Sequence, residues 1–177
     1  MHNSLLVISA LGEDRPGLVD ELTRLVADAG CNIEDSRMTV LGGEFAAIVL
    51  VSGRWNQLAK LEATLPSLER RLSLTVQTRR TARSRRGGEL LPYAVEVVCM
   101  DQGGVVHQLS NFFSVREIDI RDLATTTYTA VYTGTPMFSV RMTVDVPARM
   151  QIARLREEFM DFCDELNLDA IIEPAKA

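Results

Sequence analysis

No apolar run in this chain approaches the roughly 20 residues that a membrane-spanning helix needs. The opening residues, MHNSLLVISALGED, have neither the basic start nor the small-residue cleavage site of a secretory leader. Cysteine is scarce: Cys31, Cys99 and Cys163 are odd in number and far apart. That spacing excludes a disulfide framework and a CxxC metal or redox motif, and points to a reducing cytoplasm. Histidine is scarcer still. His2 is terminal, and His107 has no cysteine or acid at ligand spacing, so no metal site is expected. GxSxG, P-loop and GxGxxG motifs are absent. The expectation is a protein with no catalytic residues and no cofactor.

What is present is ordinary in amount and uneven in distribution. The 177 residues are 46% hydrophobic and 24% charged, enough for one domain or two small ones. Residues 1–78 carry 7 basic and 10 acidic side chains, and residues 93–177 carry 7 and 13. Between them lie Arg79, Arg80, Arg83, Arg85 and Arg86 with a single acid, Glu89. Two acidic bodies joined by a basic strap predict domains at 1–79 and 92–177 with an arginine-rich linker at 80–91. No aromatic residue interleaves the arginines as a base-stacking platform, and acidic bodies repel phosphates. Direct nucleic-acid binding is therefore not expected, and neither is a membrane surface.

The chain repeats itself. At an offset of 87, Asp14-Arg15-Pro16-Gly17 falls on Asp101-Gln102-Gly103-Gly104. The same offset carries Leu18, Val19, Leu22, Leu25 and Val26 onto Val105, Val106, Leu109, Phe112 and Phe113, and Asn32-Ile33-Glu34-Asp35 onto Asp119-Ile120-Arg121-Asp122. Beyond that, FAAIVLVS matches MFSVRMTV once about five residues are added to the second hairpin. Register kept over this length is the mark of duplication.

Each repeat reads as strand, helix, strand, strand, helix, strand. LLVISAL suits a buried strand, and Leu18, Leu22, Leu25 and Val26 share one helical face. Pro16 belongs in the first turn of that helix, with Asp14 as its cap. Gly30 ends it. Gly42-Gly43 supply positive φ for a hairpin. Asn56 is placed to cap a second helix, which Pro66 should kink or break. In the second repeat, Pro147 precedes a helix bearing Ile152, Leu155, Phe159, Phe162 and Leu166. This order predicts an α+β protein of two ferredoxin-like βαββαβ domains, each an antiparallel sheet with both helices on one face.

A βαββαβ unit with DRPG after its first strand and AGCNIED opening its second resembles the ACT domain, a module that binds amino acids and regulates other proteins. Two such units filling the chain, the first carrying GEDRPGLVDELTRLVADAGCNIEDSRMTVLGGEFAAIVLVSG, resemble the glycine cleavage system transcriptional repressor family. The resemblance implies a bacterial regulator that senses glycine or a related amino acid without being an enzyme. It also implies action through a protein partner, a LysR-type activator, not through operator DNA. ACT ligands sit between the loop after the first strand and the second strand, often across a domain or subunit interface. Here those positions are Asp14, Arg15, Pro16, Gly17, Leu18, Asn32 and Ile33. Their counterparts Asp101, Gln102, Gly103, Gly104 and Asp119 depart from the pattern and are the weaker candidates.

The chemistry of the loop suits such a ligand. A helix N-terminus presents unpaired N–H groups to a carboxylate, Gly17 lets it approach the backbone, and Asn32 both donates and accepts. Sheet edges or helix faces offer pairing surfaces, within the chain or between two copies as a homodimer. Two other readings stand beside this one. The fold can be an interaction module that has lost ligand sensing. Arg15 and Asn32 also match, in type, the loop arginine and strand asparagine of acylphosphatases, although GEDRPG has fewer glycines and donors than their phosphate loop.

Overall fold

The structure, a computed structural model, describes residues 4–82 and 89–175. They form two compact units with the same element order. The first contains β1 (Ser4–Glu13), α1 (Leu18–Asp28), β2 (Asn32–Leu41), β3 (Glu44–Gly53), α2 (Trp55–Leu72) and β4 (Thr75–Thr81). The second contains β5 (Leu90–Met100), α3 (Val105–Ser114), β6 (Asp119–Thr129), β7 (Pro136–Pro147), α4 (Ile152–Glu165) and β8 (Asp169–Pro174). The sheets run β2-β3-β1-β4 and β6-β7-β5-β8, with every pair antiparallel.

Period-two burial shows which sheet face the helices cover. Leu6, Ile8 and Ala10 of β1 and Phe45, Ala47, Val49 and Val51 of β3 are buried, while their neighbours are more exposed. Against that face lie Leu18, Leu22 and Val26 of α1 and the leucine stripe Leu58, Leu61, Leu65, Leu68 and Leu72 of α2. In the second unit the helices contribute rings instead. Phe112 and Phe113 of α3 meet Phe159 and Phe162 of α4 at centroid distances of 4.9–5.4 Å, separations at which aromatic pairs attract beyond simple burial.

Several local expectations are corrected. Helix α1 begins at Leu18 with Gly17 as its N-cap in the left-handed region, and no side chain caps it. Asp14 is therefore not the cap, and Pro16 lies outside the first turn. Both precede the left-handed turn at Gly17 that swings the chain into the helix. Asn56 sits inside α2, whose N-cap is Arg54. The side chain of Gln57 accepts a hydrogen bond from the Arg54 N–H. Pro66 does not end α2, which continues to Leu72. Proline costs a helix about 3 kcal/mol, but five buried leucines at about 1.5–3 kcal/mol each outweigh it. Leu166 is the C-cap of α4 and not part of it. Gly30 does follow α1 with φ 72°, and the Cys31 N–H reaches back to the Val26 carbonyl, the six-to-one bond of a Schellman ending.

The second hairpin is longer by six residues, not five. Ser52 faces Asn32 as Asp145 faces Asp119, an offset of 93 against 87. Arg79 and Arg80 are residues of β4, and Arg80 forms a two-pronged ion pair with Glu62 of α2. Arg83, Arg85 and Arg86 lie outside the described residues.

Candidate ligand-binding site

The loop after β1 is built around a single left-handed glycine. Gly17 has φ 97° and ψ −8°, and its carbonyl accepts the first intrahelical bond, from the Glu21 N–H at 2.9 Å. A Cβ added there meets nothing within 4 Å, so the backbone at the start of α1 faces open space. Upstream, the Asp14 N–H bonds the Gly43 carbonyl at 2.9 Å, which ties the loop to the β2–β3 turn. The Arg15 guanidinium donates to the Arg71 carbonyl at the far end of α2. Two acids in the first turn of α1 oppose an incoming carboxylate, but each has a cation: Asp20 pairs with Arg24, and Glu21 with Arg71 at 2.9 Å. Leu18 is buried and anchors the turn in the core.

Asn32 and Ile33 stand at the other end of the sheet. Asn32 pairs with Ser52, and Ser52 with Leu5, the second residue of β1. Glu13, the last residue of β1, pairs instead with Glu44 beside the hairpin turn. The length of β2, about 30 Å at the rise of a strand, separates Asn32 from the loop. One unit therefore does not bring the two halves of the predicted site together. Two antiparallel pairings through β3 require this, because they leave β1 and β2 parallel and the end of one cannot meet the start of the other. The arginine-plus-asparagine arrangement of an acylphosphatase is likewise not formed within the unit.

The second repeat reproduces the scaffold. Gly104 is the N-cap of α3 with φ 87°, its carbonyl accepts from Gln108 at 3.0 Å, and the Asp101 N–H bonds the Pro136 carbonyl at 3.0 Å. Gln102 and Gly103 are exposed between them. Asp119 is again at the far end, where with Ser110, Ser114, Glu117, Ile118 and Ile120 it lines a cleft of about 400 Å³. The glycine shared by both repeats thus shapes the chain. Whatever distinguishes the two loops lies in Arg15 and Pro16.

The far ends of the two units also carry a paired feature outside the sequence expectations. Each unit has a β-bulge in its second strand, between Ile33 and Asp35 and between Ile120 and Asp122. The bulged residues are Glu34 and Arg121, which the repeat aligns. A bulge re-aims the side chain it carries. Glu34 accepts a 2.5 Å bond from the buried Ser52 hydroxyl. Arg121 makes a two-pronged contact with the buried Asp145, at 2.5 and 3.1 Å. The charge reverses on the bulge, and its partner changes with it. Reversal of sign between NIED and DIRD was the one visible signal.

Among the described residues no cluster of three or more metal-ligating side chains occurs, and no helix is long and apolar enough to cross a membrane. Burial raises all three thiols above their ordinary range, Cys163 to about 12 with Asp164 adding to the effect.

Fold and loop define a class, and comparison with known proteins gives the same one. Residues 4–79 match the ACT domain family. The chain is 35% identical, over 94% of its length and 88% of the relative's, to the glycine cleavage system transcriptional repressor of Escherichia coli strain K12. A crystal structure described as such a repressor superposes with a TM-score of 0.74 at 30% identity, covering all of both chains. A protein of Galdieria sulphuraria gives 0.79 at 26% identity, over 99% of this chain and all of that one. The chain belongs to the glycine cleavage system transcriptional repressor family.

Proposed function

We propose that this chain is a non-enzymatic regulator of transcription that responds to an amino acid, glycine in the first instance, and acts through a protein partner. The observation that carries the reading is identity to a glycine cleavage system transcriptional repressor along nearly the whole of both chains. The open backbone at Gly17 supports it, since a ligand carboxylate can approach the uncapped start of α1. A ligand as small as glycine needs no side-chain pocket, which suits a shallow loop. The ligand would contact Asp14, Arg15, Pro16, Gly17 and Leu18 of one copy and Asn32 and Ile33 of a second, because the two sets lie at opposite ends of the sheet. The functional assembly is then at least a homodimer, and the effect on the partner, a LysR-type activator, follows from a shift in assembly or domain arrangement.

Thermal unfolding of the purified chain with a panel of amino acids tests this. Glycine at one hundred times its Kd should stabilise by about 2.7 kcal/mol, and Gly17→Val should remove that shift. A Gly17→Val variant with an unaltered response would exclude the loop. No shift with any amino acid at millimolar concentration would leave an interaction module that does not sense.

A further inference from the structure

The longest stretch of the sequence without a charged residue runs from Leu123 to Val140, eighteen residues in a chain that is 24% charged. It is the β6–β7 hairpin. At its tip Val131 is 91% and Tyr132 100% exposed, and Tyr128 (43%) and Met100 (67%) lie at the same end of the sheet. The tip closes on itself: Ala130 N–H bonds the Thr135 carbonyl and Gly134 N–H the Ala130 carbonyl, both at 2.9 Å, with Gly134 left-handed. An aromatic anchor is therefore held out on an ordered turn, where docking it costs little conformational entropy. The corresponding turn of the first unit is only Gly42-Gly43, and its strand β2 carries Glu34, Asp35 and Arg37. β6 is also a sheet edge, and edges are ordinarily blunted with charge. From Leu123 onward this one is not.

We propose that the β6–β7 hairpin is the docking surface for a partner protein, with Tyr132 and Val131 inserted into an uncharged apolar pocket that offers an acceptor to the Tyr132 hydroxyl. This rests on the reading above that the chain works through a protein partner, and it places that contact on the second unit, away from the Gly17 loop. The pocket belongs to a different protein. Three clefts among the described residues of the second unit are rimmed with charge, by Arg116, Arg154 and Glu158 in one, by Asp161 and Glu165 in the next and by Glu117 and Asp119 in the third, and these do not match a neutral hairpin. The exposed side chains at the tip amount to roughly 500 Å² of surface. That is below the roughly 800 Å² per partner of a stable interface and suits a transient regulatory contact.

The test uses the full chain with Tyr132→Ser and Val131→Thr combined, scored in cells by repression of a reporter behind a glycine cleavage gene promoter. Loss of an anchor of this kind should weaken repression about tenfold or more. Tyr132→Phe, which keeps the ring and loses the hydroxyl, should repress at a level between wild type and the double variant, and Leu41→Ser on the first hairpin should leave repression at the wild-type level. In the purified double variant the unfolding midpoint, the glycine-induced shift and the hydrodynamic mass should match the wild type. Full repression by the double variant overturns the proposal alone. A fall in hydrodynamic mass also overturns it, because the tip would then join copies of this chain. A wild-type chain that does not repress overturns the regulatory reading and this one with it.

Discussion

At Gly17 it is the backbone that would meet the proposed ligand, and a substitution there tests sensing apart from folding. A β-branched residue forced to φ 97° should cost about 1–2 kcal/mol, below the 5–15 kcal/mol typical of a domain. Gly17→Val should therefore lower the unfolding midpoint by a few degrees while abolishing the glycine shift. The bulge pairs give a second contrast. Arg121→Ala removes a charge-assisted hydrogen bond and an ion contact from the buried Asp145 and should cost about 1.5–3 kcal/mol by denaturant titration. Glu34→Ala removes the carboxylate's bond from the buried Ser52 hydroxyl without an ion contact and should cost about 1.5 kcal/mol, the low end for a bond to a charged group. Equal losses would show that the two bulges do the same structural work. Asp14 and Gly17 as loop residues and Asn32 as the start of a strand could be named from the sequence. Their placement could not, because one-dimensional spacing carries no information on which end of a sheet a residue occupies.

Among the elements, α2 keeps its proline at a position exposed to solvent. Pro66→Ala restores a backbone donor without touching the leucine stripe and should raise stability by about 2 kcal/mol, read as a higher denaturation midpoint. The link between α3 and α4 is electrostatic as well as aromatic. Arg154 and Arg116 hold Glu158 below its ordinary value of 4.5, while the Arg116 guanidinium lies 3.7 Å from the centre of the Phe112 ring. A depressed carboxyl contributes stability that is present above pH 4.5 and is lost as pH falls through the lower folded value. Glu158→Gln should flatten that part of the acid-unfolding curve, and an unchanged slope would remove the pair from the account. Element identity and order were readable throughout, since period-two and helical patterns are tied to burial. Helix starts were not: Gly17 and Arg54 act as caps through backbone geometry and a neighbour's side chain, neither of which follows from residue type.

In the molecule as a whole, two copies of one fold have diverged at their ends while their cores kept register. Phe45, Ala47, Val49 and Val51 have Phe138, Val140, Met142 and Val144 as counterparts, whereas the hairpin tips and bulges share little. All three cysteines are core residues with raised thiols. An aromatic disulfide reagent at pH 8 should label none rapidly in the native chain and all three after denaturation. Fast native labelling would contradict the packing. The separation of Gly17 from Asn32 by the full length of β2 has a further consequence. On the proposed reading the sensor borrows half its site from a second copy, and its response would follow a product of two concentrations, its effector's and its own. Below the concentration at which it assembles such a sensor would be deaf, however much amino acid surrounds it, and the abundance of the protein would set the threshold of the signal.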